Sequence, residues 1–412
     1  MATALSENRQ WRNFDWLLLL VVITLMGTGL AAIFSATHST AKQGEFARQI
    51  VFMIPAVIAM LAMLFYDYAW LFTLGRWIYW GNVGLLAFVL FAGHSALGAQ
   101  RWINLGFMTI QPSEFAKLAL IITLAKLLSM RSARDPRTLL SVGMHVAIPA
   151  ALIFKQPDLG TSMVFTAITI GMLFWAGLPG PWMFALASPV ISLVTSALGW
   201  PLWCAYLIVL GLWSWRFFPI HTGVKLGLFG INLVSAFAIP HLWNLLKPYQ
   251  RQRLVVFMNP EADPLGSGYH IIQSKVAIGS GGLWGKGFLG GTQTQLHFIP
   301  EQHTDFIFSV IGEELGFIGG CVLIVLFLTL AWRGLAIAQR AKDDFGSLMA
   351  VGIVSMFLFH FFVNVGMTTG IMPVTGIPLP FISAGGTSLM TNMVSIGLLL
   401  NVSLRRRKMV IQ

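Results

Sequence analysis

The stretch FIPEQHTDFIFSVIGEELG concentrates acidic side chains of a 412-residue chain at the start of a long apolar run. Within it, Asp305 follows Thr304 where a helix is predicted to begin, and Glu301 and His303 lie just upstream. A carboxylate that is partly withdrawn from water can have a raised pKa and act as a general base. Asp is also a favoured N-cap residue, so a capping role is the alternative interpretation. We predict that Asp305 is a catalytic base and that Glu301 and His303 line its cavity.

A second set of charges surrounds the segment QPSEFAKLALII. Glu114 and Lys117 are three residues apart there, so they share one helix face and can form an ion pair. Arg101 lies in the preceding polar turn, and Lys155 and Asp158 belong to the KQPDLGTS turn further along the chain. Ionisable groups in apolar segments are costly and usually mark a functional site. A structural ion pair that fixes helix packing is the alternative; we predict that these five residues line a substrate cavity.

Composition indicates that membrane helices position these residues. Hydrophobic residues make up 56% of the chain and Asp, Glu, Lys and Arg only 10%, whereas a soluble globular protein carries about 25% charged residues. The 26 basic and 15 acidic residues give a net charge of +11. So few charges cannot cover the surface of a soluble protein of this size. The sequence therefore predicts an all-α polytopic membrane protein with a single integral membrane domain over residues 1–412.

Cysteine and histidine usage indicates neither a disulfide framework nor a bound metal. Cys204 and Cys321 are the two cysteines, and both lie in apolar runs. His94, His145 and His360 are single histidines in apolar segments, which we interpret as packed or interfacial groups. We predict that the protein has no tightly bound cofactor.

Twelve apolar runs approach the roughly 20 residues that a helix needs to span a bilayer. They cover about residues 16–34, 49–65, 70–93, 112–130, 139–154, 160–177, 182–198, 201–215, 224–243, 305–332, 347–369 and 385–404. The runs at 182–198 and 201–215 are so close together that they could form a hairpin that does not cross completely. The sequence therefore predicts a bundle of about 10–12 transmembrane helices.

The placement of lysine and arginine predicts the orientation, because basic residues in short loops stay cytoplasmic. Arg9 and Arg12 near the start, and the run from Arg405 to Lys408 near the end, lie on the same side of an even number of helices. Both termini are therefore predicted to be cytoplasmic. The Gly-rich segment 248–303 is then extracytoplasmic, and its apolar content predicts a large, folded, partly re-entrant loop. Its run GSGGLWGKGFLGG lacks a phosphate-loop pattern, although its backbone N–H groups could contact a lipid pyrophosphate.

Five long motifs between about residues 98 and 392 resemble the SEDS (RodA/FtsW) family of bacterial peptidoglycan polymerases. They are GAQRWINLGFMTIQPSEFAKL, QPDLGTS, YQRQRL…NPEADPLGSGYHIIQSKVAIGSGGLWGKG, TQTQLHFIPEQHTDFIFSVIGEELG and NVGMTTGIMPVTGIPLPFISAGG. The resemblance implies a SEDS-type helical bundle and a lipid II glycosyltransferase at the outer face of the bacterial cytoplasmic membrane. The TQTQLHFIPEQHTDF stretch is closer to elongation-type than to division-type members, which implies a role in cell elongation and rod-shape maintenance.

The resemblance also implies residue roles and a partner. The aspartate of the family's HTDF motif is catalytic, and Asp305 occupies that place here. The Glu and Lys of QPSEFAK line the family's central cavity, and here they are Glu114 and Lys117. Family members act with a class B penicillin-binding protein, here PBP2-like. One departure is that the family typically has ten helices, whereas residues 180–243 are about 40 residues longer than that pattern needs, which predicts an extra helical hairpin.

The chemistry of lipid II sets two requirements for such an enzyme. Lipid II is an undecaprenyl-pyrophosphate-linked disaccharide-pentapeptide, so an acceptor hydroxyl must lose its proton while a charged pyrophosphate departs. Asp305 is predicted to take the proton, as a single carboxylate base suits an inverting transfer. Arg101, Lys117, Lys155 or a loosely bound divalent cation could offset the charge of the leaving group.

Three other functions stay open from the residues. They are a division-type (FtsW-like) polymerase, a lipid II flippase or other transporter, and a non-catalytic membrane scaffold. Buried Glu114 and Lys117 would suit a transport path. The 248–303 loop and its acidic helix entrance argue against a flippase, which needs no extracytoplasmic base. A scaffold would leave the clustered buried charges unexplained.

Overall fold

The computed structural model of the chain is a bundle of α-helices with one small antiparallel sheet. It describes residues 13–38, 44–96, 99–104, 109–217, 222–238, 243–244, 246–259, 263, 267–296 and 298–406. Arg9, Arg12, Arg407 and Lys408, which contribute to the predicted orientation, lie outside these residues.

The described residues form twelve long helices and four shorter ones. The first nine long helices are α1 (Trp16–Thr37), α2 (Gly44–Phe65), α3 (Ala69–Ala92), α4 (Pro112–Met130), α5 (Pro136–Lys155), α6 (Leu159–Trp175), α7 (Gly180–Leu198), α8 (Trp200–Phe217) and α9 (Thr222–Phe237). The short helices are α10 (Pro248–Met258), α11 (Ser267–Ser280), α12 (Thr292–Gln295) and α13 (Ile307–Glu314). The last long helices are α14 (Gly316–Gln339), α15 (Asp344–Thr369) and α16 (Gly386–Leu404).

A small sheet fills the connection between α3 and α4. Its strands are β1 (His94–Ala96), β2 (Ala99–Asn104) and β3 (Thr109–Ile110), which pair antiparallel in the order β1–β2–β3. Ile103 pairs with Ile110, so the sheet leads the chain directly into the start of α4. This sheet carries Arg101.

Eight helices among the described residues are long and apolar enough to cross a membrane. They are α1, α2, α3, α5, α7, α14, α15 and α16. Helix α6 is apolar but one residue short of that length, with 17 residues. The prediction of an all-α, multi-pass membrane protein is confirmed.

Aspartates begin several of these helices. Asp15, Asp158 and Asp343 are the N-caps of α1, α6 and α15, and each carboxylate accepts a hydrogen bond from the backbone N–H three residues later, at 3.0, 3.1 and 2.8 Å. Such bonds satisfy N–H groups that have no partner inside the helix. Asp15 also forms an ion pair with Arg333 of α14 at 2.7 Å, so it fixes helix packing as well.

The two ends of the described chain meet at one end of the bundle. Ser403 Oγ donates a hydrogen bond to the carbonyl of Asn13 at 2.8 Å. At the opposite end, Gln111 bonds to Asp158 and to Thr387, each at 3.4 Å, which joins the starts of α4, α6 and α16. We call this opposite end the site end. That both termini lie on the cytoplasmic side stays a prediction.

Helices α15 and α16 form the centre of the bundle. Of their membrane-span segments, 72% and 83% of the residues are buried inside the protein, against 22% for α2. Helix α15 packs against α4, α6 and α14, and α16 packs against α2. Polar side chains on α15, including His360 and Asn364, therefore face protein and not lipid.

The tenth predicted helix, over 305–332, is wrong as a single element. The chain forms α13 and α14 instead, and they join at Gly316, which has a φ of +66°. A Cβ at Gly316 would lie 2.3 Å from the backbone nitrogen of Gly285. The close approach of the Gly-rich run therefore ends α13, and glycine is needed both for that approach and for the left-handed conformation.

Helices α7, α8 and α9 occupy the region predicted to hold an extra hairpin. They share a small apolar core of their own, formed by Ala185, Trp203, Leu207, Leu210 and Leu228. A buried polar network accompanies this core: the Asn232 amide donates to Ser188 Oγ at 2.9 Å and accepts from the Tyr206 hydroxyl at 3.2 Å. The three helices therefore stabilise one another beside the main bundle.

The 248–303 segment contains α10, α11 and α12 among its described residues. Its Gly-rich run packs on α13: the N–H groups of Lys286 and Gly287 donate to the carbonyls of Glu313 and Glu314, both at 3.0 Å. These bonds satisfy the last carbonyls of α13. The hypothesis that this run offers N–H groups to a pyrophosphate is therefore wrong for these two residues. Whether the segment re-enters the membrane stays a prediction.

The side chain of Glu313 also binds the Gly-rich run. Its fully buried carboxylate accepts hydrogen bonds from Lys286 Nζ at 2.8 Å and from two backbone N–H groups of α12 at 2.9 Å. Burial alone would raise the pKa of Glu313, but these hydrogen bonds outweigh it and lower that pKa. Glu313 therefore has a structural role as a carboxylate.

Candidate active site

Asp305 lies half-buried in the turn that precedes α13. The N-cap of α13 is Phe306, which makes no side-chain capping bond. The capping interpretation of Asp305 is therefore wrong, and its carboxylate faces the 370–385 loop between α15 and α16. A Cβ on Gly376 of that loop would lie 3.2 Å from Asp305 Oδ2, and Gly376 has a φ of +75°. Only glycine combines this backbone with the space that the carboxylate occupies.

Three effects set the basicity of Asp305. Together they raise the pKa of Asp305 to about 6: burial raises it most, the positive charge of Arg253 lowers it, and the negative charge of Glu301 raises it. Arg253 belongs to α10, and its Nη1 lies 3.9 Å from the same Cβ position on Gly376. The site thus pairs a carboxylate of raised pKa with a nearby permanent cation. That combination suits proton abstraction next to a developing negative charge.

His270 of α11 is a further polar group beside Asp305. Its ring stacks on Phe306 with centroids 6.0 Å apart and an interplanar angle of 15°. Burial lowers the pKa of His270, Arg253 lowers it further, and Glu301 opposes them. At neutral pH the imidazole is therefore uncharged, which leaves Arg253 as the cation of this corner.

The backbone around Asp305 is fixed by hydrogen bonds to two other elements. Asn364 of α15 donates from Nδ2 to the carbonyl of Asp305 at 3.0 Å. Ser383 Oγ donates to the carbonyl of Thr304 at 2.7 Å, and the N–H of Ala384 donates to the carbonyl of His303 at 2.9 Å. The turn that carries the carboxylate is thus held by α15 and by the 370–385 loop.

Glu301 and His303 lie in the turn that carries Asp305, and they occupy different environments; that they line its cavity stays a prediction. The Glu301 side chain is 51% exposed, and the residue has a φ of +50°. His303 is buried, and its Nε2 lies 3.8 Å from Glu301 Oε2. Glu301 therefore supplies the exposed negative charge that acts on Asp305.

Glu114 and Lys117 form a buried ion pair in α4. Lys117 Nζ lies 2.8 Å from Glu114 Oε1. The side chain of Lys117 is 1% exposed and that of Glu114 is 6% exposed. Lys117 Nζ is also 3.2 Å from Nε2 of His360 on α15. Within the described part of the chain, Glu114 Oε2 is buried without a hydrogen-bond partner. The pair is thus a buried polar centre of the bundle, and its membership of a substrate cavity stays a prediction.

Arg101 and Asp158 form a separate corner at the site end. Arg101 Nε donates to the carbonyl of Gln156 at 2.8 Å, and its Nη1 lies 3.9 Å from Asp158 Oδ2. Arg101 Nη2 also lies 3.4 Å from the Tyr249 hydroxyl. Arg253 stacks over the Tyr249 ring at 5.7 Å. Through Tyr249, this corner is therefore continuous with the surroundings of Asp305.

Lys155 ends α5 near this corner, with an exposed side chain. In the described residues it joins neither the Arg101–Asp158 pair nor the Glu114–Lys117 pair. Its membership of the substrate cavity stays a prediction.

Four residues of the site escape prediction from the sequence: Arg253, His270, His360 and Asn364. Arg253 lies within the motif YQRQRL and His270 within GYHIIQSK, so their motifs were a usable signal. His360, interpreted as a packed histidine, instead bonds to a charged group across the core. No feature of the local sequence signals that contact, because Lys117 lies 243 residues earlier.

The described residues contain no group of three or more His, Cys, Asp or Glu side chains placed to hold a metal ion. A loosely bound divalent cation stays a prediction, and no step is assigned to it.

Comparisons with known proteins identify relatives of the whole chain. The family model for FtsW, RodA and SpoVE, described as a cell cycle protein, matches residues 15–408. Peptidoglycan glycosyltransferase RodA of Treponema pallidum (strain Nichols) is 38% identical, over 96% of this chain and 98% of its own length. Peptidoglycan glycosyltransferase MrdB of Escherichia coli (strain K12) is 37% identical, over 96% and 95%.

Solved structures share the fold. A chain of a peptidoglycan synthase complex, solved in work on the coordination of polymerization and crosslinking, is 31% identical with a TM-score of 0.72, over 95% of this chain and 97% of its own. The rod shape determining protein RodA of Thermus thermophilus is 27% identical with a TM-score of 0.63, over 96% and 98%. The chain therefore belongs to the FtsW/RodA/SpoVE family and is a peptidoglycan glycosyltransferase.

Proposed function

We propose that this chain polymerises lipid II into glycan strands at the outer face of the cytoplasmic membrane, with Asp305 as the general base. The observation that carries the proposal is the half-buried Asp305, whose pKa of about 6 is set between Arg253 and Glu301. A pKa near 6 leaves the carboxylate mostly ionised at neutral pH and more basic than an ordinary aspartate.

In the proposed reaction, an acceptor hydroxyl of one lipid-linked sugar attacks the anomeric carbon of another. Asp305 takes the hydroxyl proton as the new C–O bond forms. The bond between the anomeric carbon and the pyrophosphate breaks, and the pyrophosphate leaves with the bonding electron pair. One base and one displacement give inversion at the anomeric carbon, and holding both sugars in place accounts for much of the acceleration.

Arg253 and Arg101 are the cations best placed to offset the charge of the departing pyrophosphate. Both contact Tyr249, from its ring face and its hydroxyl respectively. Arginine side chains at this position would stabilise phosphate oxygens by paired hydrogen bonds. Lys155, exposed at the same end, is a further source of positive charge in this proposal.

The buried pair Glu114–Lys117 is proposed to line the inner part of the substrate cavity. Its donor and acceptor groups can bind sugar or amide groups of lipid II, and Glu114 Oε2 is available for this. Glu114 lies within one helix turn of Gln111, and Lys117 within two, at the start of α4, which borders the Arg101–Asp158 corner. Substrate polar groups could therefore extend from that corner into the bundle.

A class B, PBP2-like penicillin-binding protein is the proposed partner. One solved relative is a chain of a peptidoglycan synthase complex that combines polymerization and crosslinking. Glycan strands made by this chain would need a transpeptidase of that kind. The relatives RodA and MrdB support an elongation role, although an FtsW is 36% identical and a stage V sporulation protein E is 38% identical.

Purified protein in proteoliposomes with lipid II tests the function directly. We expect glycan strands from the protein alone and more from the protein with its partner. A parallel assay follows the passage of labelled lipid II across the vesicle membrane. Passage of lipid II without strand formation would show a flippase and not a polymerase. If complexes with an active partner show neither strand formation nor passage of lipid II, the chain would be a scaffold.

Depletion of the protein in its own cells separates elongation from division. Loss of an elongation polymerase should give rounded cells, because side-wall synthesis stops while septation continues. Long filaments with unfinished septa would instead assign the division-type role.

A further inference from the structure

His360 connects the buried ion pair to the loop that faces Asp305. Lys117 Nζ lies 3.2 Å from its Nε2, and its Nδ1 lies 3.2 Å from the carbonyl oxygen of Pro378. Lys117 and His360 are 1% and 3% exposed, so neither contact competes with solvent. The ring therefore spans from α4 to the 370–385 loop through the core of the bundle.

The hydrogen-bonding chemistry of Lys117 and Pro378 determines which nitrogen of the His360 ring carries a proton. A lysine ammonium only donates, so Nε2 of His360 must accept and cannot carry a proton. A carbonyl oxygen only accepts, so Nδ1 must donate and must carry the proton. Both contacts thus require the same neutral tautomer. The imidazole links a charged group to a backbone carbonyl without adding a second positive charge to the core.

Asn364, one helical turn after His360, also binds a backbone carbonyl of the 370–385 loop. It lies four residues after His360 on the same face of α15, and its Nδ2 donates to the carbonyl of Ile377 at 2.8 Å. The same Nδ2 lies 3.0 Å from the carbonyl of Asp305. Two residues of α15 therefore bind two successive carbonyls of the loop, immediately after Gly376, which faces the Asp305 carboxylate.

We propose that His360 is a positioning residue that joins the Glu114–Lys117 pair to Pro378 and so holds the 370–385 loop at the distance from Asp305 that catalysis requires. The inference rests on the proposed function. His360 acts through the loop backbone, because its ring contacts Pro378 and Lys117 and not the catalytic carboxylate. A loop displaced by about 1 Å would change the place of Asp305 relative to the acceptor hydroxyl.

Two substitutions each keep one half of the link. In His360→Asn the amide can still donate to Pro378, whereas in His360→Gln it can reach the place of Nε2 and accept from Lys117. We expect each to lower kcat about tenfold or more in lipid II polymerisation, with KM changed less than about twofold. The matched control is His145→Gln, since among the described residues His145 Nδ1 has one hydrogen-bond contact, with the carbonyl of Ser141 in its own helix at 2.7 Å.

The outcomes separate this inference from the function itself. Wild-type protein without polymerase activity would end the proposed function. Active wild-type protein with unchanged kcat in both His360 variants, or with a change in KM alone, would overturn the positioning role.

A measurement on the wild type covers the case in which the variants fail to fold. Phe359–His360 is the single Phe–His step in the sequence, so ¹³C-carbonyl Phe with ¹⁵N-His assigns this histidine by NMR. We expect a protonated Nδ1 and an unprotonated Nε2 at neutral pH. A proton on Nε2, alone or together with Nδ1, contradicts the link to Lys117.

Discussion

At the scale of single residues, the basicity of Asp305 results from opposing neighbours. Burial and Glu301 raise its pKa, and Arg253 lowers it. Both neighbours come from outside α13, so the balance exists only in the folded protein. A general base must be deprotonated to act, so activity should increase with pH through the pKa of Asp305.

This balance predicts opposite shifts for two variants. In wild-type protein, kcat should rise with pH to a plateau, with an apparent pKa near 6. Arg253→Gln removes the charge that lowers this pKa, so its acid limb should move to higher pH. Glu301→Gln removes a charge that raises it, so its acid limb should move to lower pH. Arg251→Gln is the control and should leave the acid limb in place, because Arg251 donates to the carbonyls of Leu246 and Asn244 in its own segment. Equal shifts of the acid limb in the Arg253, Glu301 and Arg251 variants would refute the assignment of this pKa to Asp305.

The ion pair Glu114–Lys117 allows packing and catalysis to be separated. Each single variant, Glu114→Gln or Lys117→Met, leaves one charge buried without its partner, which typically costs about 3–5 kcal/mol. The double variant leaves no buried charge and should accumulate in membranes better than either single variant. It should nevertheless lose most polymerase activity, measured per mole of purified protein. Full activity in the double variant would reduce the pair to a packing role.

At the scale of elements, the Gly-rich run and α13 form one structural unit. Gly285 has a φ of +80°, and a Cβ there would lie 2.1 Å from the carbonyl oxygen of Glu314. Gly279 lies in α11, where a Cβ would meet no atom within 4 Å. These two glycines therefore differ in every respect that decides the effect of an added methyl group.

We expect Gly285→Ala to lower the thermal unfolding temperature clearly, because left-handed strain alone costs about 1–2 kcal/mol and the steric overlap adds to it. Gly279→Ala should be neutral or slightly stabilising, since Ala favours a helix by about 0.5–1 kcal/mol over Gly. Thermal unfolding of both purified proteins in the same detergent measures the difference. Similar unfolding temperatures would show that the run is not packed against α13 as described.

The sequence predicts elements better than the contacts between them. Apolar runs place the long helices within a few residues, because a membrane helix must satisfy its backbone internally and keep an apolar surface. The break between α13 and α14 escapes this reasoning, since it depends on Gly285 approaching Gly316. Similarly, the HTDF motif identifies Asp305, whereas Arg253 and His360 become part of the site only through tertiary contacts.

At the scale of the whole molecule, the described chain begins and ends at the end of the bundle opposite the site. If the termini are cytoplasmic, as the basic residues predict, Asp305 and the 248–303 segment face the outside. Lipid-linked substrate would then reach the site from the outer leaflet.

Cysteine labelling in intact cells tests this orientation. Single cysteines are placed at exposed Ser280 in α11 and exposed Lys342 between α14 and α15, in a background with Cys204 and Cys321 changed to Ser. A membrane-impermeant maleimide added outside should label Ser280→Cys and miss Lys342→Cys until the cells are opened. The reverse pattern would invert the topology and exclude an outer active site.

Polymerisation of lipid II by Asp305→Asn tests the central claim most directly. Asn keeps the size of the side chain but cannot take up the proton, and loss of a general base typically costs about 10²–10⁴-fold in rate. The raised pKa of Asp305 means that its ionised form is unfavourable in the folded protein, so the variant should lose no stability at neutral pH. We predict that purified Asp305→Asn folds, binds its penicillin-binding partner and makes almost no glycan strands. Near-wild-type strand synthesis by this variant would contradict the mechanism.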